Sequence, residues 1–257
     1  MRDSHEIRLL NWNIERGLRL PAVMEFIASQ QPDICIFQEV DLNARRTGRL
    51  DVAAVVAEKF QYNYVFGVEF EELSQGSKTA PAFHGQAILG RCRILNARIL
   101  RFTHQSDFWS PRWYKPKLQV FQPRRGGRIA LRADLVIGDA RLVAYDLHLE
   151  SQGDDALRSA QLKEVVEDSQ QYSKETPVIV AGDLNTFVSP SPLRQYLISA
   201  GFVDASEGCD CPGTKPNGQT LDWIFTRGAA VCSGTRVHRE TRASDHFPVS
   251  TLLRLGG

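Results

Sequence analysis

The chain has 257 residues, 42% hydrophobic and 24% charged, with 31 Lys and Arg against 30 Asp and Glu, for a formal net charge of +1. A balance of this kind is that of a soluble globular protein long enough to bury a large core. It supplies no global field toward a nucleic acid or a membrane, although a local basic groove would suffice for the former.

The elements follow from hydrophobic periodicity, in chain order. Strand-like runs fall near residues 6–13, 34–39, 62–69, 84–90, 94–102, 129–136, 141–149, 177–183, 221–226 and 249–255. Helical patterns fit Pro21 to Gln31, Asp51 to Phe60, Asp154 to Tyr172, and Ser191 to Ala200 closed by Gly201. In the third, Ala156, Leu157, Ala160, Leu162, Val165 and Val166 make one apolar stripe, which reads as a core face. Strands alternate with helices at both ends of the chain but come consecutively between 62 and 149, so the sheets are mixed. The strand number favours two sheets packed face to face with helices outside. The expected architecture is thus a four-layer α/β sandwich formed by a single domain over 1–257.

The start, Met1-Arg2-Asp3-Ser4-His5-Glu6, lacks an apolar signal core, and no segment approaches ~18 uninterrupted apolar residues. A cytoplasmic protein without a membrane anchor, monomeric by default, is the expectation. Cys35, Cys92 and Cys232 sit in apolar surroundings and read as buried free thiols. Cys209 and Cys211 lack the second pair that a zinc motif needs and read as loop thiols. The long segment 103–128 interleaves Trp109, Trp113 and Tyr114 with Lys115, Lys117, Arg124, Arg125 and Arg128. That composition suits a phosphate-bearing partner with a stackable moiety, and equally a surface loop stapled by its own aromatics. Residues 205–220 form a second loop, just before Asp222.

The functional signal lies where the apolar runs end. Val178-Ile179-Val180 stops at Ala181-Gly182-Asp183-Leu184-Asn185, and other runs stop at Asn11-Trp12-Asn13-Ile14-Glu15, at Phe37-Gln38-Glu39-Val40 and at Asp146-Leu147-His148. Asp222 lies within Leu221 to Phe225, and Ser244-Asp245-His246-Phe247-Pro248 precedes the last strand. One polar strand end is ordinary; an ordered series of them marks a converging site at strand termini. Carboxylate and amide oxygens of this kind suit a hard cation.

These motifs, in this order and nearly end to end, resemble the endonuclease/exonuclease/phosphatase superfamily, the DNase I-like metal-dependent phosphoesterases. The resemblance implies a DNase I-like fold and a phosphodiester hydrolase using Mg²⁺ or Mn²⁺, by in-line attack of water on phosphorus. The implied substrate is a nucleic acid, cleaved by a nuclease or by an enzyme processing a DNA end or adduct. A small phosphoester or phospholipid head group is the alternative, and a non-catalytic binding relative is a third reading. Residue by residue, the resemblance implies Glu39, Asn13 and Asp245 at the metal, with Glu15 as an added acid. Asp183 orients or deprotonates water, and Asn185 donates to a phosphoryl oxygen. Asp222 and His246 form a carboxylate–imidazole pair, the imidazole acting as base or as cation. His148 touches phosphate or assists the leaving group. Arg49, or its neighbours Arg45 and Arg46, and Trp113 are candidate substrate contacts. Gln86 stands where family members often carry Asn, which leaves its role open.

Overall fold

Leu9 and Leu10 are neighbours and both fully buried, yet they pack into different cores. Alternation along the strand sends successive side chains to opposite faces, so a strand buried on both faces must lie between two layers. In the computed structural model, which describes residues 6–109, 114, 123–209, 211 and 213–256, this pattern recurs across two packed sheets.

The strands are β1 (Glu6–Arg16), β2 (Ile34–Leu42), β3 (Asn63–Glu72), β4 (Phe83–Gly90), β5 (Arg93–Arg101), β6 (Arg124–Gly126), β7 (Ile129–Ile137), β8 (Ala140–His148), β9 (Val178–Asp183), β10 (Val203–Asp204), β11 (Asp222–Arg227), β12 (Ala230–Val237) and β13 (Val249–Leu255). One sheet runs β12-β13-β1-β2-β4-β3-β6 and the other β10-β11-β9-β8-β7-β5. Both are mixed, with β1–β2 and β8–β9 parallel. Helices α1 (Leu20–Gln30) and α2 (Val52–Phe60) cover the first sheet through Leu10, Trp12, Cys35 and Phe37. Helices α3 (Asp155–Ser169) and α4 (Pro192–Ser199) cover the second through Val143, Tyr145, Val178 and Val180. Between the sheets lie Ile7, Leu9, Ile34, Ile36, Leu131, Ala133, Ile179 and Ile224. The four layers expected from the sequence are present.

Helix starts follow side-chain capping: Asp51 accepts from Ala54 N–H, Asp154 from Leu157 N–H and Ser191 from Arg194 N–H. The third helix stops at Ser169, short of Tyr172, because the chain tightens into i→i+3 turns from Glu167 to Tyr172. Strand β12 has no counterpart in the sequence reading. It is an edge strand with Gly234 in its interior and a register shift between Ser233 and Arg236, so apolar alternation is weak there. Cys35 and Cys92 are buried free thiols, and Cys232 is partly buried. Cys209 and Cys211, expected as thiols, are joined as a disulfide across a Cα separation of 5.1 Å, within bridging reach.

A polar seam crosses the middle of the sandwich. Gln38 Nε2 donates to Asn11 Oδ1 at 3.0 Å and to Asp146 Oδ1 at 2.6 Å, and Asn11 Nδ2 reaches Trp223 O at 3.3 Å. The seam ties β1 and β2 to β8 and β11 directly beneath the polar strand ends. Burial pushes the Asp146 carboxyl well above its ordinary value, with the Gln38 hydrogen bond only partly opposing it. Its Oδ2 has no partner. A group whose folded pKa is raised contributes stability at low pH and loses it as pH climbs through that raised value. Asp146→Asn should therefore raise the melting temperature at pH 7, a gain on the order of 1 kcal/mol corresponding to ~2–4 °C. The advantage should narrow toward pH 4.5 in scanning calorimetry; a variant that melts lower at pH 7 would show that the carboxylate is the form the seam needs.

Candidate active site

Strand register does the first part of the positioning. Asp183 at the end of β9 is paired with Asp222 on β11 and with His148 on β8, so three polar side chains stand abreast on one face. Gly182 makes this alignment possible: it has φ +148°, and a Cβ there would lie 1.9 Å from Leu147 O. On the opposing sheet Asn13 pairs with Gln38, at the point where β1 and β2 lose regular register. The pairing of β2 with β4 also shifts between Phe37 and Val40, so Glu39 sits on a bulge. Bulges re-aim side chains, and here the result is visible in the backbone. Glu39 has φ +53° and Asn185 φ +49°, and Glu15 and Arg16 share this left-handed region. Such conformations cost non-glycine residues ~1–3 kcal/mol each and gather where geometry serves function.

The two rows meet across the sandwich. Asn13 Nδ2 donates to Asp183 Oδ2 at 3.1 Å and lies 3.4 Å from Glu39 Oε1. Asn185 N–H donates to Asp183 Oδ1 at 3.0 Å, while Asn185 Nδ2 donates to Leu149 O at 3.0 Å. His148 Nε2 stands 3.8 Å from Asp183 Oδ2, and His246 Nε2 stands 3.7 Å from the same oxygen. His246 Nδ1 is 2.8 Å from Asp222 Oδ2. The turn carrying His246 is fixed by Trp12 Nε1 donating to His246 O at 3.0 Å and by Ser244 Oγ donating to Asn13 O at 2.7 Å. Loop 205–220 supports the other partner, because Thr214 Oγ accepts from Leu221 N–H and Asp222 N–H.

Electrostatics divides these groups. Burial works against a charged His246, but Asp222 and Asp183 outweigh it and hold the imidazole pKa up at about 9. Burial, together with Asp183, raises the Asp222 carboxyl, while His246 pulls it back. The pair thus keeps a proton at neutral pH, and the ring facing two acids carries it. For Glu39, enclosure would raise the carboxyl, but the charges of His84, Arg16, His148 and His246 hold it well below the usual range. Arg16 Nη2 lies 3.4 Å from Glu39 Oε2.

The structure therefore gathers Asn13, Glu39, His148, Asp183, Asn185, Asp222 and His246. Glu15 borders the group; its Oε2 makes no hydrogen bond and faces Arg19 at 3.4 Å. Asp245 is turned differently: its side chain is 49% exposed and pairs with Lys215 Nζ at 2.6 Å. Arg49 is exposed, whereas Arg46 forms a two-pronged contact with Asp41 and reaches Glu72. Trp113, Lys115 and Lys117 lie outside the described residues. Trp109 serves as a staple, donating Nε1 to Glu150 and packing on Phe70 and Phe108. Gln86 Nε2 donates to Ile129 O, a structural use. The sequence reading missed Glu69, fully buried and 3.5 Å from His148 Nδ1, and Arg16 beside Glu39. Glu69 had one visible signal, a lone acid between Val68 and Phe70 in a strand-like run.

Comparisons with known proteins bear on the fold and the family. A search of curated proteins finds no match. Among solved structures, the chain resembles an endonuclease/exonuclease/phosphatase from Beutenbergia cavernae DSM 12333, with TM-score 0.73 and 20% identity over 98% of this chain and 72% of that one. It resembles the human Nocturnin catalytic domain with bound sulfate, with TM-score 0.73 and 19% identity over 98% of this chain and 95% of that one. It also resembles a mannosyl-6-phosphatase from Bacteroides thetaiotaomicron VPI-5482, with TM-score 0.69 and 19% identity over 96% of this chain and 99% of that one. The profile of the endonuclease/exonuclease/phosphatase family matches residues 10–246, and the chain belongs to that family.

Proposed function

We propose that the protein is a divalent-metal-dependent phosphodiester hydrolase, carried by one observation: Asn13, Glu39 and the turn before β13 that carries His246, all on one sheet, converge with Asp183, Asn185, Asp222 and His148 from the other. Glu39 carries a carboxylate and Asn13 an amide oxygen, a donor chemistry that fits a hard cation such as Mg²⁺ or Mn²⁺, although in this structure Asn13 presents Nδ2 and Arg16 presents Nη2 to Glu39. Glu39 and Asn13 would hold it, with Glu15 at the border; Asp245 would join only by leaving Lys215. The bound cation would polarise the phosphoryl group and offset its charge.

The chain's own residues divide the remaining work. Asp183, fixed by Asn13 Nδ2 and Asn185 N–H, orients the attacking water and takes its proton as oxygen attacks phosphorus and the opposite P–O ester bond breaks. The Asn185 amide donates to a phosphoryl oxygen with the proton that Leu149 O does not use. His246, protonated and braced by Asp222, stabilises the charge that builds on the phosphorane-like transition state. His148, facing Asp183 Oδ2 from the other side, serves the leaving oxygen.

For the substrate, a nuclease or a DNA-end- or adduct-processing enzyme rests on the basic and aromatic segment 103–128. A second reading, a small phosphoester, is favoured because the cations described there are spent internally. Arg124 pairs with Glu72, Arg125 with Glu71 and Arg128 with Glu69. Salt decides between them. Affinity for an oligonucleotide should fall steeply with log[salt] if several phosphates are gripped, whereas a small substrate gives a shallow slope.

Hydrolysis of bis(p-nitrophenyl) phosphate should require Mg²⁺ or Mn²⁺ and be abolished by a chelator or by Glu39→Ala. Asn185→Ala should lower turnover ~10²–10³-fold, as loss of one transition-state donor does elsewhere. Full activity in Glu39→Ala would overturn the assignment. In the metal-free protein, an NMR titration of His246 should give a midpoint near pH 9, displaced downward in Asp222→Asn. Because that folded value exceeds the unfolded ~6.5, the stability His246 contributes is complete below pH ~6.5 and is lost as pH rises toward 9. A His246 midpoint below 6 would exclude the imidazolium role.

A further inference from the structure

Glu69 on β3, His84 on β4 and His148 at the end of β8 lie against one another with 1%, 1% and 3% exposure. One ligand atom from each falls within 4.8 Å of the others. Glu69 Oε1 and His148 Nδ1 face each other at 3.5 Å, and among the described residues neither has a hydrogen-bond partner. His84 Nε2 stands 3.9 Å from the second Glu69 oxygen. We infer that these three residues form a second cation site, of the kind that takes Zn²⁺, separate from the oxygen-rich site at Glu39.

The chemistry of the donors selects the ion. Two imidazole nitrogens and one carboxylate suit a borderline-soft metal with tetrahedral habit, whereas Mg²⁺ prefers oxygens and retained water. Zn–ligand bonds of ~2.0–2.1 Å place tetrahedral donors ~3.3 Å apart; Glu69 Oε1 and His148 Nδ1 stand close to that at 3.5 Å, and the His84 ring, whose ligand nitrogen lies within 4.8 Å of the other two, closes inward on binding.

The surroundings prepare the ligands. His84 Nδ1 lies 3.3 Å from Asp41 Oδ1, a carboxylate held in turn by Arg46 and Thr47. A carboxylate behind one ring nitrogen directs the lone pair of the other toward a metal. Arg128 Nη1 pairs with Glu69 Oε2 at 3.2 Å and Nη2 with Ser151 Oγ at 3.1 Å, leaving Oε1 free. Burial would raise the Glu69 carboxyl, but His148 and Arg128 hold it below its ordinary value, so it stands ready as an ionised ligand. Occupancy would reach the active cluster through one atom. A cation on His148 Nδ1 confines that ring's proton to Nε2, the nitrogen 3.8 Å from Asp183 Oδ2.

The site stands independently of the hydrolase reading, and its test uses binding alone. The full chain and the variants Glu39→Ala, His84→Ala, Glu69→Gln and Asp41→Asn are titrated with Zn²⁺ against a chromophoric chelator, and with Co²⁺ by visible absorption. Wild type and Glu39→Ala should each keep one tight Zn²⁺ and show tetrahedral Co²⁺ bands. His84→Ala and Glu69→Gln should weaken binding more than ~10-fold, and Asp41→Asn by ~10-fold through the ring it braces. Unchanged zinc affinity in both His84→Ala and Glu69→Gln would overturn the inference. So would loss of the tight site in Glu39→Ala, or a wild-type Co²⁺ spectrum without tetrahedral bands, an outcome that holds even where a variant fails to fold.

Discussion

The Asp183 carboxylate is the joint on which the candidate site turns. It takes an N–H from Asn185 two residues on, an amide proton from Asn13 across the sandwich, and the approach of two imidazoles from either side. A buried carboxylate survives only where donors and cations replace its hydration. Asp183 can therefore be where it is only because two sheets, distant in sequence, deliver those partners together. The Gln38–Asn11 seam just beneath fixes how the sheets sit against each other, so packing and site geometry depend on the same contacts.

Irregular backbone completes what regular strands begin. Register aligns Asp222, Asp183 and His148, but a straight β2 could not present Glu39 as the bulge at Phe37–Val40 does. Left-handed φ values fall at Glu15, Arg16, Glu39 and Asn185, in the segments that carry the site, as well as at Gln31, Asn43, Arg49 and Gln61 elsewhere. The core supplies the surplus that holds these residues in unfavourable conformations.

Much of this was legible from sequence, for identifiable reasons. Strands buried on both faces leave continuous apolar runs, and their sudden polar ends showed where side chains gather. Helix starts were legible because Asp51, Asp154 and Ser191 announce caps. Strand β12 was hidden because an exposed edge needs no apolar alternation. Glu69 was hidden because one acid in Val68-Glu69-Phe70 reads as a solvent-facing position, when in fact His148, Arg128 and His84 pay its desolvation. Asp245 differs from the other motif residues in its surroundings: Lys215, in a loop without periodic signal, pairs with its carboxylate. Long-range pairing of charges leaves no trace in local pattern.

Charge also explains why the chain can be nearly neutral and still handle phosphate esters. Around Asp183 the carboxylates of Glu39, Asp183 and Asp222 face Arg16, His246 and His148. An incoming phosphate would meet those carboxylates at close range, and burial of Asp183 and Asp222 strengthens their repulsion. On the proposed reading, a divalent cation beside Glu39 would offset their charge without any change in the protein's surface charge. The arginines near the site cannot do the same, because Arg46, Arg124 and Arg128 are committed to Asp41, Glu72 and Glu69. With those arginines committed, the cation proposed at Glu39 is the group that would supply positive charge to an incoming phosphate.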